Sequence, residues 1–329
     1  MKILKRIVAT LTVIVFGLFV YIQTGYNKKF NDTPYPAIHA SKDSTVIARG
    51  KYLVYGPAHC AMCHVDKGQD EDVDAGKELP LIGGFELHIP VGVCRPANIT
   101  SDKETGIGAL KDEEIARMMR YNVKRNGEAA IPFMPFQEMS DEDITAVISY
   151  LRTLPPVRHE VLPSEYNFVG KIVKTFALKP TMPTAEPPKK MVRDTSATYG
   201  KYMAMSVSNC YGCHTDRNMK TGEFTGKPFA GGLAFISEPE TANMGFISPN
   251  LTPDKATGRI AEWEQATFLD RIHKGRLQKG SPMPWGPFSR MEENDIKAIY
   301  NYLRSVPPVN KTISKTTFAE GEQMPVTAN

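Results

Sequence analysis

Hydrophobic and polar positions in this 329-residue chain fall into three patterns. The first is the uncharged run from Ile7 to Ile22, preceded by Lys2, Lys5 and Arg6. As a helix these sixteen residues reach about 24 Å, slightly short of a bilayer core of about 30 Å. Polar Thr10, Thr12, Gln23 and Thr24 are tolerable at this depth, so the run predicts an N-terminal transmembrane anchor within residues 1–30. A cleaved signal peptide is the competing reading. No A-x-A site follows the run and no Cys is placed for a lipid anchor, which favours the uncleaved helix. Positive residues before the run predict a cytoplasmic N-terminus, with everything after it outside.

The second pattern is helical spacing. Ser140-Asp-Glu-Asp143 reads as a capping box before Ile144, Val147, Ile148 and Leu151. Asp112 to Lys124 carries Ile115, Met118 and Met119, with Gly127 beyond its end, and Glu262 to Lys274 matches it before Gly275. No alternating strand pattern of useful length appears, so the expected fold class is all-α. The third pattern is a Pro-rich stretch, residues 158–194, with Pro163, Pro180, Pro183, Pro187 and Pro188. It reads as a linker whose apolar segment, Phe168 to Leu178, could pack against either neighbouring domain.

The chain also repeats itself. Gly50-Lys51-Tyr52 before Cys60-Ala61-Met62-Cys63-His64 matches Gly200-Lys201-Tyr202 before Cys210-Tyr211-Gly212-Cys213-His214. Pro80 with Gly83-Gly84 matches Pro228 with Gly231-Gly232, and the segment Asn98 to Gly106 matches Asn250 to Gly258. Met134-Pro-Phe matches Met283-Pro-Trp, and Asp143-Ile through Tyr150-Leu-Arg and Pro155-Pro-Val matches Asp295-Ile through Tyr302-Leu-Arg and Pro307-Pro-Val. Offsets stay between 148 and 152, far above solenoid periods, so this is a duplicated domain. The expected division is an anchor at 1–30, domains at 41–157 and 195–309, the linker between them, and a tail at 310–329.

Composition agrees with two packed units. Apolar residues at 41% and charged residues at 23% exclude a disordered chain. Net charge is +4, too near neutral to suggest nucleic acid as a partner. Residues 49–157 carry 12 basic against 17 acidic side chains, whereas residues 199–309 carry 13 against 11. The docking faces of the two units could therefore differ, although ordinary solvated faces explain the same counts.

The cysteines decide the chemistry. A chain with five Cys and seven His holds C-x-x-C-H about 0.002 times by chance, and this one holds it twice. The spacing lets two thiols reach the two vinyl groups on one porphyrin edge while the adjacent His turns onto the iron, which is covalent c-type haem attachment. A thioredoxin-like pair would need a βαβ context, which is missing. A four-thiolate zinc site would not need His at the same place twice. Two haem c groups are expected, on Cys60, Cys63 and His64, and on Cys210, Cys213 and His214.

The repeat also selects the second iron ligand. Met134 and Met283 occupy matching Pro-flanked loops 70 and 69 residues after their His. A lone Met is usually core filler, but the matched register favours ligation, so His64 with Met134 and His214 with Met283 are the expected iron ligands. His/Met pairs raise the potential relative to bis-His and fill both axial positions, which argues for electron transfer over catalysis. His88 and His273 have no His counterpart and read as surface or packing residues. The carbonyls of Pro80 and Pro228 could accept the His Nδ1–H, or each Pro could simply start a turn.

Taken together, these motifs resemble class I cytochrome c, and within it the cytochrome c subunits of membrane-bound periplasmic dehydrogenases of the alcohol type. The shared pattern is Arg49-Gly-Lys-Tyr-Leu, C-x-x-C-H, Gly-Gly, Asn-Ile-Thr-x-Asp-x-x-Thr-Gly, Met-Pro-Phe/Trp and Pro-Pro-Val, over about two thirds of the chain. The resemblance implies that the first and last helices of each unit cross at Gly50 and Gly200, close to Tyr150 and Tyr302. It implies that the Asn98 and Asn250 loops lie near the haems. Subunits of this kind often carry three haems, whereas two attachment sites are present here. The implied role is a dihaem carrier at the bacterial inner membrane, haem domains in the periplasm. It would relay electrons from a dehydrogenase or quinol-linked donor to another cytochrome or a terminal oxidase.

Cys94 departs from the repeat, facing Phe246 in the other unit. It reads as a small buried hydrophobe. The sharper alternative comes from dihaem thiosulfate dehydrogenases, in which a Cys is an axial ligand; Cys94 would then displace Met134 and the chain would be an enzyme. A dihaem peroxidase is a third relative, but it needs an open or His-ligated site. Asp70, Asp72 and Asp74 begin like a calcium loop, but Gly comes one place late and the twelfth position is Leu81, so they read as a solvated loop. The sequons at Asn98, Asn250 and Asn310 read as incidental in a bacterial layout.

Overall fold

The computed structural model describes residues 1–218, 222–238 and 241–325. The end of the expected tail, 326–329, and short pieces of the second domain, 219–221 and 239–240, lie outside the described residues.

Crossed helices frame each unit. In the first, α2 (Ser44–Tyr55) packs on α6 (Asp141–Leu151). In the second, α8 (Ala197–Tyr202), continued by a π-helical turn over Met203–Val207, packs on α12 (Glu293–Ser305). Asp43 and Ser196 cap the entering helices by accepting the N–H of Thr45 and Tyr199. The crossings are too close for any side chain. A Cβ on Gly50 would lie 1.9 Å from the Ala146 carbonyl oxygen and 2.8 Å from Tyr150 Cβ; on Gly200, 1.8 Å from that of Ala298 and 2.9 Å from Tyr302 Cβ. The remaining helices are α1 (Lys2–Gly25), α3 (Ala61–His64), α4 (Asp70–Asp74), α5 (Asp112–Tyr121), α7 (Phe168–Phe176), α9 (Cys210–Cys213), α10 (Gln265–His273) and α11 (Trp285–Ser289).

The all-α expectation is overturned. Only 37% of the chain is helical, and among the described residues two antiparallel sheets are present. One runs β1 (Leu87–Ile89), β2 (Gly92–Cys94), β3 (Glu165–Tyr166); the other runs β4 (Ala234–Phe235), β5 (Gly245–Ile247), β6 (Thr317–Phe318). Strands of two or three residues are too short for alternation to register in a sequence. Each sheet is completed from beyond the last helix of its unit: β3 comes from the stretch read as linker, and β6 from the stretch read as tail.

Helix α5 stops at Tyr121, earlier than its sequence pattern, because Asn122 takes a left-handed cap (φ 53°) and donates its N–H to the Met118 carbonyl. At α6 only half of the capping box forms. Ser140 Oγ accepts the Asp143 N–H at 3.1 Å, but the Asp143 carboxylate turns to Arg49 Nε (2.9 Å) and Tyr202 Oη (2.7 Å). Those contacts belong to the joint between the two units, and one apolar core runs through both, from Leu53 and Ile148 to Met203 and Leu303.

Helix α1 contains an 18-residue window of mean hydropathy 2.2, enough by length and composition to cross a membrane. The apolar segment in the linker folds as α7. It packs on α1 and against the hairpin of the first unit, where a Cβ on Gly170 would meet the Val91 carbonyl oxygen at 2.1 Å.

Candidate haem sites

Both C-x-x-C-H motifs follow a residue in the left-handed region, His59 (φ 42°) and Asn209 (φ 53°), which turns the chain sharply out of the preceding helix. One helical turn follows. His64 N–H bonds to the Cys60 carbonyl at 2.9 Å, and His214 N–H to that of Cys210 at 2.8 Å. Positions i, i+3 and i+4 share a helix face, so this turn presents two thiols and an imidazole to the same side. In the second unit, Gly212 is pressed on Asn209, whose Oδ1 would lie 2.1 Å from an added Cβ.

The imidazoles are oriented from behind. His64 Nδ1 donates to the Ala97 carbonyl at 2.7 Å, and His214 Nδ1 to the Pro249 carbonyl at 3.1 Å. Pro80 and Pro228 are therefore not the acceptors; the residue just before each repeat-matched Asn is. The loops carrying these carbonyls are pinned twice. Asn98 Nδ2 donates to Val157 (2.8 Å) and Thr105 (3.1 Å) while its Oδ1 accepts Thr100 N–H (2.9 Å); Asn250 repeats the set on Val309, Thr257 and Thr252 with the same distances. Gly83 (φ 73°) and Gly231 (φ 66°) then lean on the loops, leaving no room for a Cβ against Ala97 and Pro249. Both Asn side chains are 1% exposed and fully used, so these sequons are structural.

Burial pushes both imidazoles below their ordinary pKa, against the opposing effect of the carbonyl bond, so each is neutral at pH 7. With Nδ1 donating, Nε2 keeps its lone pair, and among the described residues nothing hydrogen-bonds it. Burial likewise pushes the thiols up, Cys60 and Cys210 to about 12 and Cys63 to about 11. Two thiols beside a neutral, oriented imidazole suit thioether attachment with axial ligation. Among the described residues no cluster of three or more His, Cys, Asp or Glu is placed to hold a metal ion.

Met134 and Met283 are half-buried and pack on the same apolar core as Cys60, Met62, Cys210 and Tyr211. Their loops are held differently. In the first unit the bonds are internal: Gln137 Nε2 donates to the Met134 carbonyl at 2.9 Å, and Arg120 Nη1 to that of Gln137 at 2.8 Å. In the second unit the support crosses the joint. Asp74 of α4 pairs with Arg276 through two bonds, one of them 3.2 Å, and accepts the Gly286 N–H at 3.2 Å. Arg276 in turn holds the Ser281 carbonyl, Ser281 Oγ accepts from Trp285 Nε1 at 3.1 Å, and the Arg271 guanidinium stacks 3.6 Å from the Trp285 ring. Asp74 is thus an interdomain anchor rather than part of a solvated loop, and nothing in its spacing signalled that.

Cys94 sits on β2 opposite Leu87, 9% exposed, and outside the apolar cluster that packs the C-x-x-C-H turns and Met134. Burial raises its pKa, with Lys124 and Lys174 opposing weakly, so it is a packed neutral thiol. His273 Nε2 donates to the Met291 carbonyl at 3.3 Å, a packing role.

Two haem-attachment turns, each with an oriented neutral imidazole, on a duplicated helical frame define a covalent dihaem electron-transfer protein. A model of the cytochrome c family matches residues 47–155 and 197–307, about two thirds of the chain. The chain belongs to the cytochrome c family, once per unit, and carries two haem c groups.

Relatives align across both units. The gluconate 2-dehydrogenase cytochrome c subunit of Pantoea cypripedii is 25% identical over 299 residues, covering 86% of this chain and 64% of that protein. The cytochrome c subunit of the quinone-dependent alcohol dehydrogenase of Gluconobacter oxydans is 26% identical over 287 residues, covering 83% and 57%. A diheme cytochrome c-type protein of Cereibacter sphaeroides is 25% identical over 271 residues, covering 80% and 86%. The chain thus spans 64% or less of the length of the dehydrogenase subunits named here.

Proposed function

We propose that this chain is a membrane-anchored dihaem carrier with His64/Met134 and His214/Met283 ligation. It takes electrons from a dehydrogenase partner and passes them singly to another cytochrome or a terminal oxidase on the periplasmic side. The observation that carries this reading is the repeated site itself. Both units carry an oriented imidazole and a partly buried methionine in a matching Pro-flanked loop; with such a pair as ligands, neither iron would keep a position for substrate. The relatives named as dehydrogenase cytochrome subunits support the donor class. The haem supplies the one-electron chemistry; the protein sets its potential through the axial sulfur and burial. The basic flank of α1 supports an inner-membrane anchor with the N-terminus inside.

The test is the oxidised absorption spectrum of the holoprotein in the far red, where Met–Fe(III) absorbs. Two Met-ligated irons per chain are expected, with Met134→Ala and Met283→Ala each removing half of the band. A band that survives both substitutions overturns the ligand assignment. Turnover of thiosulfate or peroxide by the wild type would overturn the carrier role.

A further inference from the structure

Helix α7 has two unlike faces. Asn167 starts it by accepting the Gly170 N–H at 2.9 Å and donating to the Pro90 carbonyl at 2.8 Å, and Gly170 seats it on the hairpin of the first unit. On the other side Phe168, Val169 and Phe176 are 47%, 55% and 55% exposed. Three large apolar side chains on nine residues are unusual for a face left to water.

Their place along α1 says what covers them. The Phe168 ring lies 5.9 Å from that of Phe19, and Phe176 lies 6.2 Å from Tyr21. Phe19 is three residues, about 4.5 Å of helix rise, before Ile22, where the uncharged run ends. The lysines sit further along. Lys171 Nζ donates to Gln23 at 2.6 Å and Lys174 Nζ to Asn27 at 3.0 Å, both over the Tyr26 ring. Aromatic rings are therefore level with the end of the apolar run, and ammonium groups are level with the polar residues after it. That is the layering of a helix lying in a bilayer interface, with its apolar face about 5 Å or more into the acyl boundary. Lys28 and Lys179 are exposed nearby, and residues 158–198 carry seven basic against four acidic side chains, matching an anionic surface.

We infer that α7 is an interfacial foot: its Phe168–Val169–Phe176 face docks the first cytochrome domain onto an anionic lipid surface beside α1, fixing that domain's orientation at the membrane. This rests on reading α1 as a membrane span. The foot explains why a nine-residue helix interrupts a Pro-rich segment whose only other described strand, β3, closes the first sheet.

The test uses the full-length holoprotein in phosphatidylcholine/phosphatidylglycerol vesicles. In a Cys94→Ser background, single nitroxide labels are placed through Phe168→Cys, Val169→Cys or Phe176→Cys. Leu11→Cys serves as the membrane control and Val192→Cys, 75% exposed, as the aqueous control. Spectra are recorded with both haems oxidised, and each accessibility is read as the change in relaxation on adding the reagent. The expected result is oxygen accessibility several-fold above that of a water-soluble nickel chelate at the α7 positions and Leu11, with the reverse at Val192. Labels on α7 that behave like Val192 while Leu11 reports lipid overturn the foot alone. A Leu11 label that behaves like Val192 overturns the anchor instead. Labels on α7 shielded from both reagents mean a protein, such as a second copy, covers the face, which also overturns it. Val169→Cys keeps the test readable if loss of a Phe ring disturbs packing.

Discussion

The Tyr52 hydroxyl of the first domain donates to the Asp295 carboxylate of the second at 2.7 Å and accepts the Glu292 N–H at 3.0 Å. Its repeat partner, Tyr202, does the converse, donating to Asp143 at 2.7 Å and accepting the Ser140 N–H at 3.1 Å. Each tyrosine thus caps the last helix of the other domain. Arg49 lies between, 2.9 Å from Asp143 and 3.8 Å from Asp295, where its own repeat partner is Tyr199. Burial works against the Arg49 charge, but Asp143, Tyr199 and Asp295 together outweigh it and hold the guanidinium above its ordinary pKa.

Tyr52→Phe and Tyr202→Phe should each cost about 1–3 kcal/mol, because a buried carboxylate and a helix N–H both lose their partner. The double variant should fall short of additivity, since both carboxylates share Arg49. Burial, then the facing carboxylate, pushes both phenols above their ordinary value of 10.0. Folded phenols therefore keep protons that unfolded ones lose, and wild-type stability should decline as pH rises past 10.0, less steeply in the Phe variants. Denaturant titrations of reduced holoprotein across pH 7–11 check both; a slope unchanged by the substitutions would count against the network.

Ala at Gly50 or Gly200 should loosen its helix crossing, at a cost near the upper end of about 1–3 kcal/mol for overpacking, since the obstacle is backbone. Gly17→Ala, with nothing within 4 Å of the added methyl, should be neutral. Thermal unfolding of the three variants separates the cases.

Asp74→Ala removes the brace that the first domain gives the Met283 loop. On the proposed ligation, the Met283 half of the far-red band should then bleach at lower denaturant than the Met134 half. Equal bleaching would show that the loop stands without its neighbour.

Cys94 should resist alkylation at pH 8 in the native protein and react with one equivalent once unfolded, because burial raises its thiol above 9.0. Cys94→Ala should leave the haem spectrum untouched. A changed spectrum would make it an axial ligand after all.

What the sequence by itself determined is what chemistry and repetition force into fixed spacing. The attachment turns need thiols at i and i+3 with His next, so they were legible without coordinates; the crossings at Gly50 and Gly200 were legible only through the resemblance to class I cytochrome c. Duplication added Met134 and Met283 as paired candidates by register alone. Tertiary structure decided whatever depends on residues distant in the chain. The His acceptors are Ala97 and Pro249, 33 and 35 residues away, because a backbone carbonyl leaves no trace in residue identity. The sheets rest on strands of two or three residues, too short to show a period, and the third strand of each pairs some 70 positions back. Asp143 has the local signature of a cap, yet its carboxylate serves Arg49 of its own domain and Tyr202 of the other, since a buried guanidinium and a phenol offer it stronger partners than its own helix N–H. Propensity and motif act within a few residues; the joint between the domains is made of pairs 59 to 243 residues apart, and only folding brings those together.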